Sequence, residues 1–261
     1  MDREYLTSNR TYYVRTDGSD SNDGLGNSSS GSFLTIQKAI NTAIYDIDPG
    51  PYSVTIQVGV GTFSESIGLG VHWANSEITI QGSPTYGETV IVQGSSAHTI
   101  SSAAPTPWKL KDLELRNTAG AAYACLYVAN RGQVLLENVQ WGSSLSHHIV
   151  SYYNGTVYFT SDYRIVGNPT SRHIFAAFDS SIRMVNVNCT LVGSRTFAQF
   201  ININSGTSLI AQGFTYTGTA TGNRWGASTN SAIFAVGSGS VQADFFPGST
   251  NGSATSGSYI V

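Results

Sequence analysis

Histidines and aromatic residues are concentrated in a short part of the chain. His147 and His148 are adjacent, and His173 follows one repeat later in the sequence. Imidazole is suited to proton transfer near neutral pH, and it also binds sugar hydroxyls. Tyrosine and tryptophan rings offer a flat apolar face together with a polar tip. The sequence therefore predicts a carbohydrate-binding cluster composed of Trp141, His147, His148, Tyr152, Tyr153 and Tyr163. Some of the aromatic residues in this stretch are expected to be core or inter-subunit residues instead, since Tyr158 and Phe159 alternate and only one of these two can face the interior.

Carboxylates are scarce in the second half of the chain, where only Glu137, Asp162, Asp179 and Asp244 follow residue 131. Hydrolysis of a glycosidic bond needs two carboxyl groups roughly 5–9.5 Å apart. We assign no catalytic residue. If the chain is an enzyme, the candidates are two pairs on successive coils, where neighbouring strands lie about 4.8 Å apart: Asp162 with Arg164, and Asp179 with Arg183. The alternative is that these are isolated surface or turn charges.

Two features that resemble metal sites are interpreted as structural. Cys125 and Cys189 show no CxxC spacing, so we expect two buried thiols. The segment Asp17–Gly24 is rich in oxygen donors but lacks the twelve-residue calcium pattern, so we expect a loop of tight turns. His147 or His148 is expected to stack on His173 in a neighbouring coil. The sequence predicts no metal and no cofactor.

The composition excludes several classes of protein. Charged residues make up 11% of the 261 residues, against roughly 25% in an ordinary domain. The hydrophobic content of 40% is enough for a core, and helix formers do not dominate, which excludes a disordered chain and a coiled coil. A net charge of −3 provides no basic surface for nucleic acid. We expect neither a membrane span nor a secretory signal, because no apolar run has the required length.

One phrase repeats along the chain: a short alternating strand, a small polar residue at a turn, a second strand and a polar break. Its first apolar residue, the anchor, recurs at Val54, Ile78, Trp108, Val134, Val157, Ile182, Leu209 and Val241. An apolar strand precedes each later phrase, the last being SAIFAVG before Val241. Four residues after the anchor stand Asp112, Asn138, Ser161, Asn186 and Gly213, which predicts a ladder of turn residues at one corner.

A period near 25 residues without a helix is typical of one coil of a parallel β-helix. A β-sandwich would show turns every 8–12 residues, and a propeller blade would need about 40–45. We therefore predict an all-β, single-stranded parallel β-helix of about eight coils.

Three segments are predicted. Residues 1–50 hold an N-terminal segment and a capping helix. The helix is predicted from Phe33 to Ile44, because the apolar residues of this stretch share one helical face and Ser32 precedes it as a possible N-cap. Residues 51–246 form the β-helix. Residues 247–261 are a Gly/Ser-rich irregular tail, whose final Tyr259–Val261 is expected to pair with a neighbouring subunit.

The segment Thr11 to Ala43, TYYVRTDGSDSNDGLGNSSSGSFLTIQKAINTA, resembles the N-terminal motif of right-handed β-helix proteins of the pectin-lyase-like superfamily. In those proteins a strand, an Asp/Gly/Asn loop and an FxTIQxAI helix lead into the coils. The resemblance implies a right-handed β-helix with a capping helix. The superfamily contains polysaccharide lyases and hydrolases, and also tailspikes and fibres of phages and prophages. The catalytic motifs of pectate lyases are not evident here.

The leading hypothesis is a structural and receptor-binding spike or fibre component of a phage-like particle, which contacts host surface polysaccharide. It would lie at the surface of a virion or extracellular particle and attach to other virion proteins through the N-terminal residues 1–6. A surface poor in charge suits association with identical copies, and the spike resemblance implies a homotrimer. The alternative is a polysaccharide depolymerase, either a lyase or a glycosidase. A cell-wall-attached adhesin is a third hypothesis.

Overall fold

The chain winds into a parallel β-solenoid of about seven turns, close to the eight coils that the repeat predicts. The computed structural model describes residues 3–75, 77–83, 89–235 and 245–261. In these residues one helix, α1 (Ile36–Tyr45), accompanies the strands. None of the described helical structure is long and apolar enough to cross a membrane.

Most strands are short, and after α1 they follow one another directly along the described residues. The first twelve are β1 (Glu4–Tyr5), β2 (Arg10–Val14), β3 (Ile47–Asp48), β4 (Val54–Val58), β5 (Gly61–Phe63), β6 (Ile67–Leu69), β7 (Ile78–Gln81), β8 (Val90–Gly94), β9 (Ile100–Ser102), β10 (Pro107–Lys111), β11 (Glu114–Asn117) and β12 (Leu126–Val128). The others are β13 (Gln133–Glu137), β14 (Gln140–Ser144), β15 (Ile149–Ser151), β16 (Thr156–Phe159), β17 (Tyr163–Ile165), β18 (Arg172–Ala176), β19 (Ser181–Met184), β20 (Asn188–Ile203), β21 (Ser208–Ile210), β22 (Thr215–Ala227), β23 (Ala232–Phe234), β24 (Ser253–Ala254) and β25 (Tyr259–Ile260).

Each coil passes through three faces. Face 1 is a ten-stranded parallel sheet in the order β2-β4-β7-β10-β13-β16-β19-β21-β23-β25. Face 2 stacks β5, β8, β11, β14 and β17, and face 3 stacks β6, β9, β12, β15 and β18. The long strands β20 and β22 run through both of these faces. Side chains alternate between the interior and the outer surface, so each face has an apolar inner side.

The anchor residues of the repeat stack inside face 1, as predicted. Successive coils pair in register from Ile78 through Trp108, Val134, Val157 and Ile182 to Leu209. All of them are fully buried. Each anchor side chain stacks on the anchor of the preceding coil. The anchors therefore form a continuous part of the core, which faces 1, 2 and 3 enclose.

The predicted repeat is wrong after Leu209. This residue pairs with Ile233 of β23, within the SAIFAVG segment, while Val241 lies outside the described residues. The step of Leu209 to Ile233 matches the usual period, whereas the step to Val241 is several residues too long. Tyr259 and Ile260 pair with β23 of the same chain, and the expected pairing of this segment with a neighbouring subunit stays a prediction. The solenoid therefore continues into the segment predicted to be an irregular tail.

Helix α1 covers the first coil and packs against β2, β4 and β6. Its N-cap is Thr35, whose side chain accepts the Lys38 N–H, so the predicted start at Phe33 with Ser32 as cap is wrong. Phe33 is extended instead and bridges to Val14. The Asp20 carboxylate, from the predicted turn-rich loop, accepts the N–H groups of Leu34 and Thr35 at 2.9 Å and holds the chain straight before the helix.

The corner after face 1 carries the predicted ladder of turn residues. Asp112, Asn138, Asn186 and Gly213 all have φ between 51° and 65°, the left-handed region that Asn, Asp and Gly tolerate best. Asn138 Nδ2 donates to Asp112 Oδ1 at 2.7 Å, and the Asn138 N–H donates to Ser161 Oγ at 2.6 Å. Side chains of three successive coils are thus linked at this corner.

We expect Asn138→Ala to lower the free energy of unfolding by about 1–2 kcal/mol, because alanine loses the bond to Asp112 and is strained at φ 51°. Asn138→Gly should cost less, since glycine adopts this conformation freely. Urea denaturation followed by circular dichroism measures both variants. Equal losses would argue against a role for the left-handed backbone.

The corner between faces 3 and 1 is built from two consecutive left-handed residues in every coil from β12 onward. The pairs are Asn130–Arg131, Tyr153–Asn154, Phe178–Asp179, Ser205–Gly206, Thr229–Asn230 and Ser256–Gly257. In the first five pairs the N–H of the second residue donates to the carbonyl of the first residue in the next coil, at 3.0–3.2 Å. This second corner therefore stacks equivalent side chains directly above one another, Tyr153 and Phe178 among them.

Candidate functional site

The structure divides the predicted carbohydrate-binding residues into two groups. Trp141, His148 and Tyr163 are 0–2% exposed, so their assignment to sugar contact is wrong. Their side chains point inward because they occupy interior positions of the alternating pattern. Tyr153 is 49% exposed, and Tyr152 and His147 are partly exposed. Only this second group lies where a polysaccharide can reach it.

The buried group forms a polar chain in the core. His148 and His173 lie side by side on neighbouring coils, as predicted for one histidine pair, with their Nδ1 atoms 3.0 Å apart. His148 Nε2 is 2.8 Å from the Gly142 carbonyl oxygen, and His173 Nε2 is 3.2 Å from the Tyr163 hydroxyl. Trp141 lies against both imidazoles, at 5.9 Å between ring centroids.

Two neutral histidines satisfy every hydrogen bond of this buried pair. A carbonyl only accepts, so His148 carries its proton on Nε2 and its Nδ1 is an acceptor. His173 must then donate from Nδ1 and accept the Tyr163 hydroxyl at Nε2. Only one proton fits between the two Nδ1 atoms, so the two rings cannot both be protonated.

Burial explains the charge state of these groups. It lowers the pKa of His148 to about 3 and that of His173 well below its ordinary value. Burial also raises the pKa of Tyr163 well above its ordinary value and that of Cys189 to about 12. All four groups are neutral at pH 7 and enclosed. These buried side chains therefore hold the core together and are not positioned to exchange protons with a substrate.

Exposed and partly exposed aromatic residues form a continuous surface, which we call the aromatic face: Tyr127, Tyr152, Tyr153, Phe175 and Phe178. The Tyr153 and Phe178 rings stack at 4.8 Å with only 8° between their planes. Tyr152 contacts Tyr127 at 6.1 Å, Phe175 at 5.4 Å and Phe178 at 5.6 Å. At one end His98 stacks on Tyr127 at 4.3 Å. The rings extend across three successive coils.

Two polar side chains, Arg172 at the start of β18 and His147 just before β15, lie beside the aromatic face. The Arg172 guanidinium lies 4.9 Å over the Phe175 ring, and its Nη1 is 3.3 Å from His147 Nε2. Arginine only donates, so His147 Nε2 accepts and His147 Nδ1 donates to Ser146 Oγ at 2.6 Å. Burial and the nearby charge of Arg172 lower the pKa of His147 to about 4. In the described part of the chain, Arg172 has no carboxylate partner.

The sequence analysis missed Tyr127, Phe175, Phe178 and Arg172. A usable signal was present, because Tyr127 and Tyr152 are separated by exactly one coil, and so are Tyr153 and Phe178. Aromatic residues one period apart occupy equivalent positions in adjacent coils. The prediction relied on closeness in sequence, which selects residues of one coil regardless of the direction in which they point.

The candidate catalytic residues do not come together. Asp162 follows β16 and accepts the Asn188 N–H at 2.8 Å, whereas Asp179 precedes β19 at the second corner. A four-residue strand, about 13 Å long, separates these two corners, so the expected approach of the two carboxylates is wrong. Arg164 lies on β17 in face 2 and Arg183 on β19 in face 1.

Glu137, the other described carboxylate of this half, is held in ion pairs with lysines. Glu137 bonds Lys111 at 2.7 Å, and Asp244 lies outside the described residues. Cys125 and Cys189 are buried free thiols, as expected. No group of three or more His, Cys, Asp or Glu side chains converges on a possible metal position within the described ranges.

The coils, the three faces and the N-terminal helix define the class: a right-handed parallel β-helix of the pectin-lyase-like fold, as predicted. The solved structures that are similar to the chain include two pectin methylesterases. Pectin methylesterase PemA from Erwinia chrysanthemi is 13% identical, with 98% of this chain and 81% of that chain covered and a TM-score of 0.52. Pectin methylesterase from carrot is 15% identical, with coverages of 95% and 80% and a TM-score of 0.45. Similarity at this level of identity shows the fold alone.

No protein-family model matches the sequence, and no curated protein is similar to it in sequence.

Proposed function

We propose that this chain is a carbohydrate-binding structural protein that contacts a surface polysaccharide through the aromatic face. The observation that carries the proposal is an exposed, continuous set of rings across three coils, with Arg172 and His147 beside it. Rings of this kind stack on the apolar faces of sugars, while hydroxyl, imidazole and guanidinium groups bind sugar hydroxyls. The location outside one face of a rigid solenoid suits an extended ligand.

The proposed role is binding and not cleavage, because the carboxylates Asp162 and Asp179 lie at opposite edges of face 1. The alternative, a depolymerase, makes a different prediction. Incubation of the protein with a bound polysaccharide would release reducing ends or unsaturated uronates. Detection of such products, and their loss in Asp162→Ala or Asp179→Ala, would replace the binding role with an enzymatic one.

We further propose that the chain is a spike or fibre component of a phage-like particle, exposed at the particle surface and attached to other virion proteins through residues 1–6. Met1 and Asp2 of this segment lie outside the described residues, and Glu4–Tyr5 pairs with Ile47–Asp48 beside the helix. Support comes from the resemblance of Thr11–Ala43 to the pectin-lyase-like superfamily, which includes phage tailspikes and fibres, and from the low content of charge. Three copies are expected, and light scattering of the purified chain as a monomer would contradict this.

We expect Tyr153→Ala to weaken polysaccharide binding at least tenfold, because it removes an exposed ring and its stack with Phe178. An array of bacterial capsular and O-antigen polysaccharides identifies the glycan, and titration of the best hit gives the affinities. Tyr45→Ala is the matched control, since Tyr45 is 62% exposed at the end of α1 and remote from the aromatic face. Wild-type affinity in Tyr153→Ala, or an equal loss in Tyr45→Ala, would refute the assignment.

A further inference from the structure

We propose a second oligosaccharide-binding site on the outer surface of face 1, separate from the aromatic face. A groove of about 430 Å³ runs across β10, β13, β16 and β19. Its volume lies within the range of about 300–1,000 Å³ that is usual for sites of small ligands. None of its residues belongs to the aromatic face, so the site does not depend on the function proposed above.

The floor of the groove is apolar with one aromatic ring. Phe159 is 5% exposed and faces the core, so its neighbour Tyr158 faces outward. Tyr158 pairs in register with Leu135 of the preceding coil, and Val185 lines the groove beyond it. These three side chains give the flat, partly apolar surface against which a sugar ring packs.

One end of the groove offers a hydrogen-bond acceptor, and the other end offers only donors. At one end the Glu77 carboxylate accepts from Lys109 Nζ at 2.8 Å, and the Gln133 amide lies between Glu77 and the floor. At the other end Arg183, exposed and directly above Tyr158 in the register, supplies only donors. Four coil steps of about 4.8 Å separate the two ends, a distance of about 19 Å.

This combination favours an oligosaccharide over a protein surface. Within the described residues Arg183 forms no ion pair, so an apolar partner would bury an unpaired charge. A second copy that faces this groove across a twofold axis parallel to the solenoid would bring Arg183 close to its own equivalent. Sugar hydroxyls both donate and accept, so one ligand satisfies the carboxylate, the amide and the guanidinium together.

Two sites on different faces would allow one chain to bind two glycan segments. Joint engagement raises the apparent affinity for a dense polysaccharide well above that of either site, provided that the spacing permits it. Soluble oligosaccharides bind the two sites separately, and are therefore the suitable probe for counting them.

The test is calorimetric titration with soluble oligosaccharides released by partial hydrolysis of bacterial capsular and O-antigen polysaccharides. We expect two binding events per wild-type chain and one in Tyr158→Ala, in Arg183→Gln and in Tyr153→Ala. The double variant Tyr153→Ala/Tyr158→Ala should bind none, while Tyr45→Ala keeps both. Circular dichroism and melting temperature establish that each variant is folded.

Three outcomes would overturn the second site: a single event in wild type that only Tyr153→Ala removes, two events that persist in Tyr158→Ala and Arg183→Gln, or no binding by any member of the panel. A fall in molar mass in Tyr158→Ala, measured by light scattering, would also overturn it and assign the groove to contact between copies. A single event that only Tyr158→Ala and Arg183→Gln remove would support this site and refute the aromatic face.

Discussion

Acidification from pH 7 to about pH 4.5 is expected to destabilise the protein strongly through His148 and His173. In the unfolded chain a histidine takes up a proton near pH 6.5, whereas in the folded chain burial lowers the pKa of His148 to about 3 and that of His173 well below its ordinary value. Between these values the unfolded state binds more protons than the folded state, so stability falls as the pH falls.

The expected size of this effect follows from the number of protons. Each buried histidine contributes a slope of about 1.4 kcal/mol per pH unit below pH 6.5, so two give about 3 kcal/mol per pH unit. Over two pH units the loss approaches the total stability of an ordinary domain, about 5–15 kcal/mol. His72, His98 and His147 have lowered pKa values, mainly because of burial, and act in the same direction.

Urea denaturation at a series of pH values measures the slope. The double variant His148→Gln/His173→Gln lacks both buried histidines. The slope of its free energy of unfolding against pH should be smaller than that of wild type by the equivalent of about two protons, although the variant is less stable at pH 7. His147→Gln is the matched control beside the pair and should change the slope by at most one proton. A wild-type stability that is constant between pH 7 and pH 4.5 would contradict the assigned charge states.

Trp141→Ala is expected to lower the free energy of unfolding by about 3–5 kcal/mol, because this side chain is fully buried and packs against His148 and His173. Trp141→Phe should cost less. The buried Trp141 Nε1 has no hydrogen-bond partner, so phenylalanine removes an unsatisfied donor and leaves only part of the cavity.

The same two variants separate a core role from a binding role for Trp141. Thermal and urea unfolding report stability, and glycan titration of the folded Trp141→Phe protein reports binding. We expect unchanged binding in Trp141→Phe, whereas Tyr153→Ala should lose binding with a stability loss of only about 1 kcal/mol, from the lost stack on Phe178. Normal stability with lost binding in Trp141→Ala would restore the sequence-based assignment of Trp141 to the sugar site.

The repeat made the fold predictable from the sequence. Strict alternation places Val134, Val157 and Ile182 inside, and a constant step requires them to stack. The signal failed at Val241 because β23 and the segment after it are both short apolar alternations, and only the length of the step separates them. The helix start failed because Phe33 fits the helical apolar face, yet the Asp20 carboxylate holds the preceding backbone extended.

The candidate site was less predictable than the fold. The residue type of Trp141 or Tyr163 does not reveal whether it points to the core or to solvent, since aromatic residues serve both environments. Tyr153 and Phe178 are each the first of two consecutive left-handed residues. Neither pair contains glycine or forms a typical turn sequence, so no short sequence pattern predicts this corner. Only the coil period relates these residues to each other.

The parallel register of the coils has a mechanical consequence. Strands run across the solenoid, so the hydrogen bonds between coils point along its long axis. Tension applied along that axis would peel coils away singly, each yielding at low force, because a coil touches only its immediate neighbours. Tension applied sideways, along the strands, loads many bonds in shear at once. A load taken up on a lateral surface such as the aromatic face would therefore be borne in the stronger direction.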